Sequence, residues 1–159
     1  VTPIRSAELI LGKLIPYINI GYSGFLFSLG ICIFWFGVGV TGSLPLLLLL
    51  GFLFVICALS MGMLVSTAAK NQLQAMMVTM LVLLPSILLS GFVFPREAMP
   101  DFIYFIGYLI PLTYFLDIIR GIILKGVGAE FLYDDILALC MALVILLGAA
   151  TLRFRKSLD

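Results

Sequence analysis

Histidine is absent from this 159-residue sequence. That removes the usual zinc ligand, the Ser-His triads and the commonest general base together. Charge is scarce as well. Asp, Glu, Lys and Arg make up 11% of the residues, against about 25% in a soluble domain, so the chain cannot clothe a globular surface in polar groups. Cysteine occurs three times, as Cys32, Cys57 and Cys140. Each lies inside an apolar run, and the spacing matches no metal site. Such thiols behave as small apolar residues in a membrane. The G-x-x-x-x-G-K-[ST] phosphate loop is missing, so ATP is not bound and hydrolysed by that device. No secretory leader pattern opens the chain. It begins at Val1 and not at Met, and is expected to be a fragment.

What is present points to a bilayer. Hydrophobic residues account for 64% of the chain, mean hydropathy is +1.28, and the length suffices for four or five spans of about 20 residues. The net charge of +1 implies no nucleic-acid partner. The one basic cluster, Arg153, Arg155 and Lys156, reads as a membrane stop signal. The expected fold is an all-α polytopic helical bundle forming a single transmembrane domain over 1–159.

Thr2 and Pro3 read as an N-cap and first helical position. Over 1–13, Ile4, Ala7, Ile10 and Leu11 share one face, and Arg5, Ser6 and Glu8 another. This segment is expected to lie at the membrane surface as an amphipathic helix. No Asp, Glu, Lys or Arg occurs between Lys13 and Lys70. Two spans, 14–39 and 45–69, joined by a tight turn at Thr41, Gly42 and Ser43 are the economical reading, because unpaired backbone in lipid costs several kcal/mol per group. Span 73–94 follows, with Pro85 as its expected kink. The loop carrying Arg96 and Glu97 is read as ordinary interfacial surface, and the last span is 136–152.

Residues 102–124 have the hydropathy of a fifth span, but Pro111 divides them into two stretches too short to cross, and Asp117 and Arg120 lie in the second. With four spans, Arg5, Lys13, Lys70, Arg153, Arg155 and Lys156 share one side, which the positive-inside rule makes cytoplasmic. The opposite side holds Arg96, Arg120 and Lys125 with most acids. Residues 102–124 are therefore expected to form a re-entrant helical hairpin from the outer face, with Pro111 at its tip. Asp117 and Arg120, three apart, can face each other, either as a neutralising pair or as a polar patch at an outer gate. The hairpin aromatics, Tyr114 among them, suit an interfacial belt or an amphiphile path.

Small residues recur at helical spacing: Ala58, Gly62 and Ser66; Ala138 and Ala142; and glycines in the first span. Such faces let helices approach closely, and packing within this bundle is the favoured reading over packing on another subunit. Gly37, Gly39 and Gly42 spell G-x-G-x-x-G, but the motif ends a membrane span on the outer side, without the preceding strand that a dinucleotide site needs.

Three stretches, in this order, resemble the permease subunit of type-2 ATP-binding-cassette exporters. They are 2–17, with Pro3, Arg5, Glu8, Gly12, Lys13 and Pro16; 89–100, with Gly91, Pro95, Glu97, Met99 and Pro100; and Pro111 through Asp117, Arg120, Gly121, Lys125 and Gly126. The resemblance implies that 1–13 is a cytoplasmic coupling helix and that two N-terminal spans are lacking. It implies a separate ATPase subunit, contacted through Arg5, Glu8 and Lys13. It also implies a second permease copy or paralogue, contact with membrane lipid, and a periplasmic adaptor as a further candidate partner. Pro111, Tyr114, Asp117 and Arg120 would form the outer gate, with an amphiphilic cargo (drug, lipid or glycan-like) passing between permeases in the cell membrane. No catalytic residue, cofactor or metal is expected. Competing readings are a secondary transporter, which ordinarily carries an ionisable residue at mid-membrane, a non-transporting structural membrane subunit, and an intramembrane hydrolase, disfavoured without His or an acidic pair in the spans.

Overall fold

The computed structural model describes residues 6–37, 39–91, 93–126, 128 and 130–158. Thr2, Pro3 and Arg5 lie outside the described residues. The elements are α1 (Ser6–Phe34), α2 (Leu44–Ala68), α3 (Gln72–Leu89), a 3₁₀ turn (Arg96–Ala98), α4 (Asp101–Gly107), α5 (Pro111–Arg120), one π-helical turn (Gly121–Lys125) and α6 (Tyr133–Leu158). Among the described residues there is no strand. Among the described residues, four helices are long and apolar enough to cross a membrane: Gly12–Phe34, Leu44–Ala68, Gln72–Leu89 and Tyr133–Arg153. The all-α bundle read from the sequence is thus the observed architecture.

Local chemistry sets the helix starts. Ser43 caps α2, its hydroxyl accepting from the Leu46 N–H at 3.4 Å, and Pro45 occupies the first turn, where a missing N–H costs nothing. Asn71 caps α3 by accepting from the Gln74 N–H at 2.8 Å, while the Gln74 side chain accepts from the Lys70 N–H at 2.7 Å. This exchange satisfies donors that a helix N-terminus leaves open.

α2 is the central helix. It packs most extensively against α6 and also contacts α1, α3 and α5. The core joins Leu47, Leu50 and Cys57 of α2 to Ile118 of α5, Ile122 of the π turn and Leu139 of α6. A second cluster, of Leu14, Leu59, Met63 and Leu147, ties α1, α2 and α6 at the other end. α1 runs antiparallel to α2, with Tyr22 donating to the Leu48 carbonyl at 2.8 Å. The Gly51 position leaves room for the Phe25 ring, which a Cβ would strike. Helices in lipid gain little from excluding water, so such shape fitting is what holds them together. α3 buries none of its residues, and among the described residues α1 buries only Leu14.

The structure departs from the sequence reading at three places. The polar start and the first span are one uninterrupted helix, with Pro16 inside it, so the boundary expected at 13/14 is not a break; a proline near the beginning of a long helix removes one ladder bond without ending it. The third span stops at Leu89, short of Phe94, because Gly91 takes a φ of +96° that few other residues tolerate. Finally, Ala58, Gly62 and Ser66 do not form a helix contact. All three are exposed, and a Cβ on Gly62 would meet nothing within 4 Å.

Candidate functional site

The segment after α3 is the most unusual in the fold. α4 and α5 meet at a bend of 85°. Its two ends are nonetheless at the same end of the bundle, because Arg120 on α5 donates to the carbonyl of Gly91, beyond the end of α3, at 2.7 Å. α5 returns along α2 in the opposite direction: Phe115 stacks on Phe54 with centroids 4.3 Å apart, and Ile122 reaches Gly42 at the start of α2. The segment is thus a bent helix pair, called the hairpin below, with near-perpendicular rather than antiparallel arms.

Arg96 holds the entry. Its guanidinium is buried, with 9% exposure. Nη1 donates to the Leu89 carbonyl at 3.0 Å and Nη2 to the Tyr104 carbonyl at 2.7 Å. Both carbonyls belong to helix C-terminal turns that lack their own donors. One cation thus caps α3 and α4 together, where the helix dipoles favour positive charge. Tyr104 and Tyr108 close over it, with their ring centroids 4.2 and 4.8 Å from Cζ. Gly107 is required beside it, because a Cβ there would overlap the guanidinium and approach the Leu89 carbonyl at 2.9 Å.

The turn between the arms is stapled by side chains. Thr113, buried, donates through Oγ1 to the Gly107 carbonyl at 2.8 Å. The Tyr114 hydroxyl donates to the Tyr108 carbonyl. Pro111 is the first residue of α5 and is buried. With Ile110 and Leu112 it roofs an apolar cavity of about 220 Å³ between α2 and α3, walled by Ala58, Val82 and Ser86 among others. The hydroxyls of Ser86 and Thr79 donate back to their own helix. Pro111 thus reaches the level of Ala58, about 20 Å along α2 from its start at 1.5 Å per residue.

The exit arm is fastened to the α1–α2 turn. The Gly42 N–H donates to the Ile122 carbonyl at 2.8 Å, and the Thr41 hydroxyl to the Ile123 carbonyl at 2.7 Å. The π turn ends at Gly126, whose φ of +69° is left-handed. The third glycine of the G-x-G-x-x-G stretch has its purpose here: a Cβ on Gly42 would meet the Ile122 carbonyl oxygen at 2.9 Å.

At the other end of the bundle, Glu8 and Lys13 are exposed on α1. Lys13, Tyr17 and Ser66 border a cleft between α1 and α2 that is floored by Leu14, Leu59 and Met63. Arg5, expected beside Glu8, lies outside the described residues. The structure therefore brings Pro111, Tyr114 and Arg120 into one hairpin, and sets Glu8 and Lys13 at the far end. Asp117 is exposed on α5; Arg120, three residues on, donates to the Gly91 carbonyl. The reading of Arg96 as ordinary interfacial surface is corrected by its burial. Its partners Leu89 and Tyr104 come from elements on either side of a loop, and no local periodicity shows that. Thr113 was missed too, although its place beside Pro111 in an apolar stretch marked it as a hydroxyl in need of a partner.

Residues 1–124 match the model of the family described as ABC-2 type transporter. Among curated proteins, the chain is 36% identical over 159 residues to the "Probable multidrug ABC transporter permease YbhS" of Escherichia coli, covering 99% of this chain and 42% of that protein. It is 32% identical over 163 residues to the "Inner membrane transport permease YhhJ" of Escherichia coli, again covering 99% and 42%. "ABC transporter G family member 20" of Dictyostelium discoideum is 23% identical over 128 residues, covering 80% of this chain and 18% of that protein. No solved structure matches the chain. The chain spans about 42% of the length of the bacterial relatives it matches. With more than three quarters of its length matched, the chain belongs to the ABC-2 type transporter family.

Proposed function

We propose that this chain works as the membrane permease part of an ATP-driven exporter, paired with a separate ATPase subunit and a second permease, in the cell membrane with both chain ends cytoplasmic. The observation that carries the reading is mechanical. α1 is continuous over 29 residues, about 43 Å at 1.5 Å per residue. Glu8 stands exposed at one end of α1, and beyond the other end Thr41 and Gly42 are hydrogen-bonded to the exit arm of the hairpin. A push at the polar start travels along α1 to Phe34 and reaches the hairpin through the connection that leads to Thr41 and Gly42.

In this reading Arg5, Glu8 and Lys13 contact the ATPase. ATP shifts the permease between two arrangements because it binds one of them better. The hairpin with Pro111, Tyr114, Asp117 and Arg120 is the outer gate, dipping into the membrane and returning. The cargo is amphiphilic, since the spans offer apolar walls; the name of the Escherichia coli multidrug relative supports a drug-like cargo. No catalytic group, metal or cofactor is assigned to the chain.

The test is Glu8→Lys in the whole protein reconstituted with its ATPase. The expected result is normal assembly with ATP hydrolysis no longer stimulated by transport. Unchanged coupling would overturn the assignment of this helix as the lever. Vesicle uptake driven by a proton or sodium gradient without ATP would replace the reading with a secondary transporter.

A further inference from the structure

α3 is held chiefly at one end. None of its side chains is buried. Along its middle it is separated from α2 by the cavity of about 220 Å³ that Val82, Leu83 and Ser86 share with Ala58 and Gly62. At the Leu89 end the situation reverses. Ser90 and Gly91 are buried, and two guanidinium groups reach this end, one from the 3₁₀ turn before α4 and one from the end of α5: Arg96 to the Leu89 carbonyl at 3.0 Å, and Arg120 to the Gly91 carbonyl at 2.7 Å. Hydrogen bonds from a cation are the strong ones, the more so away from water, as at buried Arg96; Arg120 is itself exposed. Few buried apolar contacts along a helix mark the part of a fold that opens most readily.

We propose that Arg96 is a positioning residue that makes the Leu89 end of α3 a pivot, with Arg120 as its second pin, and that α3 swings about this pivot across the cavity beside α2. The proposal rests on the exporter reading only for the use of the motion, which is to open and shut the space under the hairpin tip. The pinned end keeps α4 and α5 in register while the far half of α3 moves. Gly107 is part of the device, because only a residue without a Cβ leaves the guanidinium its seat. The rings of Tyr104 and Tyr108 hold the guanidinium in place through cation–π contact.

Spin-label distances test the pivot without any transport assay. In the whole protein in lipid nanodiscs, with Cys32 and Cys140 replaced by Ser, one pair is placed at Leu88→Cys and Leu137→Cys and another at Met77→Cys and Leu152→Cys. All four positions are exposed. The expected result is a narrow distribution for the first pair and a broader one for the second. Arg96→Gln is expected to widen the first to the breadth of the second, and Arg120→Gln, the milder change, to widen it in part. Arg96→Lys, which retains a donor, is expected to recover some of the narrowing. Two equally narrow distributions, or a first pair indifferent to both arginine substitutions, would overturn the pivot. The expected distances combined with no ATP-driven export by any version would leave the pivot standing and remove the exporter reading instead.

Discussion

The amide of Gly42 donates to the carbonyl of Ile122 at 2.8 Å, joining the turn after α1 to the last turn of the hairpin's exit arm. The contact tolerates no side chain on Gly42, since a Cβ would stand 2.9 Å from a backbone oxygen that cannot rotate away. Gly42→Ala is therefore expected to destabilise the protein by about 1–3 kcal/mol, the range for a backbone clash that also strains a buried hydrogen bond. Gly39→Ala is the control, because nothing lies within 4 Å of its added Cβ. Thermal unfolding followed by size-exclusion chromatography should separate the two. Equal melting temperatures for both variants would show that the turn does not grip the hairpin.

Phe115 stacks on Phe54 at 4.3 Å and tilts against Phe25 at 6.1 Å. Removing the ring leaves a void at the junction of α1, α2 and α5, and Phe115→Ala should cost about 3 kcal/mol, the low end for such truncations. Phe54→Ala should cost less once Phe115 is gone, because part of its contact energy is already lost. Additive losses in a double-mutant cycle would mean that the stacked pair contributes nothing as a pair.

Thr113 is buried and its hydroxyl reaches the Gly107 carbonyl across the turn. That carbonyl also accepts from the Ile110 N–H at 3.1 Å, so it keeps one donor when the hydroxyl is removed. Thr113→Val retains the shape of the side chain and should lower stability by about 1 kcal/mol. A loss several times larger, measured by the same unfolding assay, would indicate that the hydroxyl has a further partner.

Gly107→Ala should unseat the Arg96 guanidinium. Its effect on stability and that of Arg96→Gln should therefore overlap. The double variant is expected to be little worse than the poorer single one, as for residues that act through a shared contact. Full additivity would separate the glycine from the arginine.

Sidedness is open to direct labelling. Cysteines at Asp101 and Glu130, which flank the hairpin, are expected to react with an impermeant thiol reagent from one face of the membrane, and a cysteine at Lys70 from the other. Asp101 and Glu130 reacting from opposite faces would make α4 and α5 a broken fifth span and move the chain end at Asp159 to the exterior.

The spans were readable because charge in a bilayer is expensive: the empty interval between Lys13 and Lys70 leaves room for two crossings and one turn. The break before α5 was readable from Pro111, which is its first residue, and the charges of Asp117 and Arg120 set this segment apart from the four charge-poor helices. The continuity of α1 was not readable, because Pro16 and the polar residues before it look the same whether a helix bends there or passes straight through. Arg96 was hidden for another reason. Glu97 beside it makes the pair resemble a neutral surface dipeptide, whereas the contacts that bury Arg96 come from Leu89 and Tyr104 in different helices. Asp117 and Arg120 have the spacing of a helical ion pair, yet the nearby Gly91 carbonyl takes the guanidinium. Local spacing shows which groups can meet and not which long-range partner competes for them.

The dominance of the α2–α6 contact has a consequence for biosynthesis. α2 leaves the ribosome well before Tyr133 is translated, so Leu47, Leu50 and Cys57 face lipid or insertion machinery until the last helix arrives. Nascent chains that end before α6 should therefore enter the membrane yet remain loosely packed, a substrate for membrane quality-control proteases. Addition of α6 is the event that locks the central helix in place.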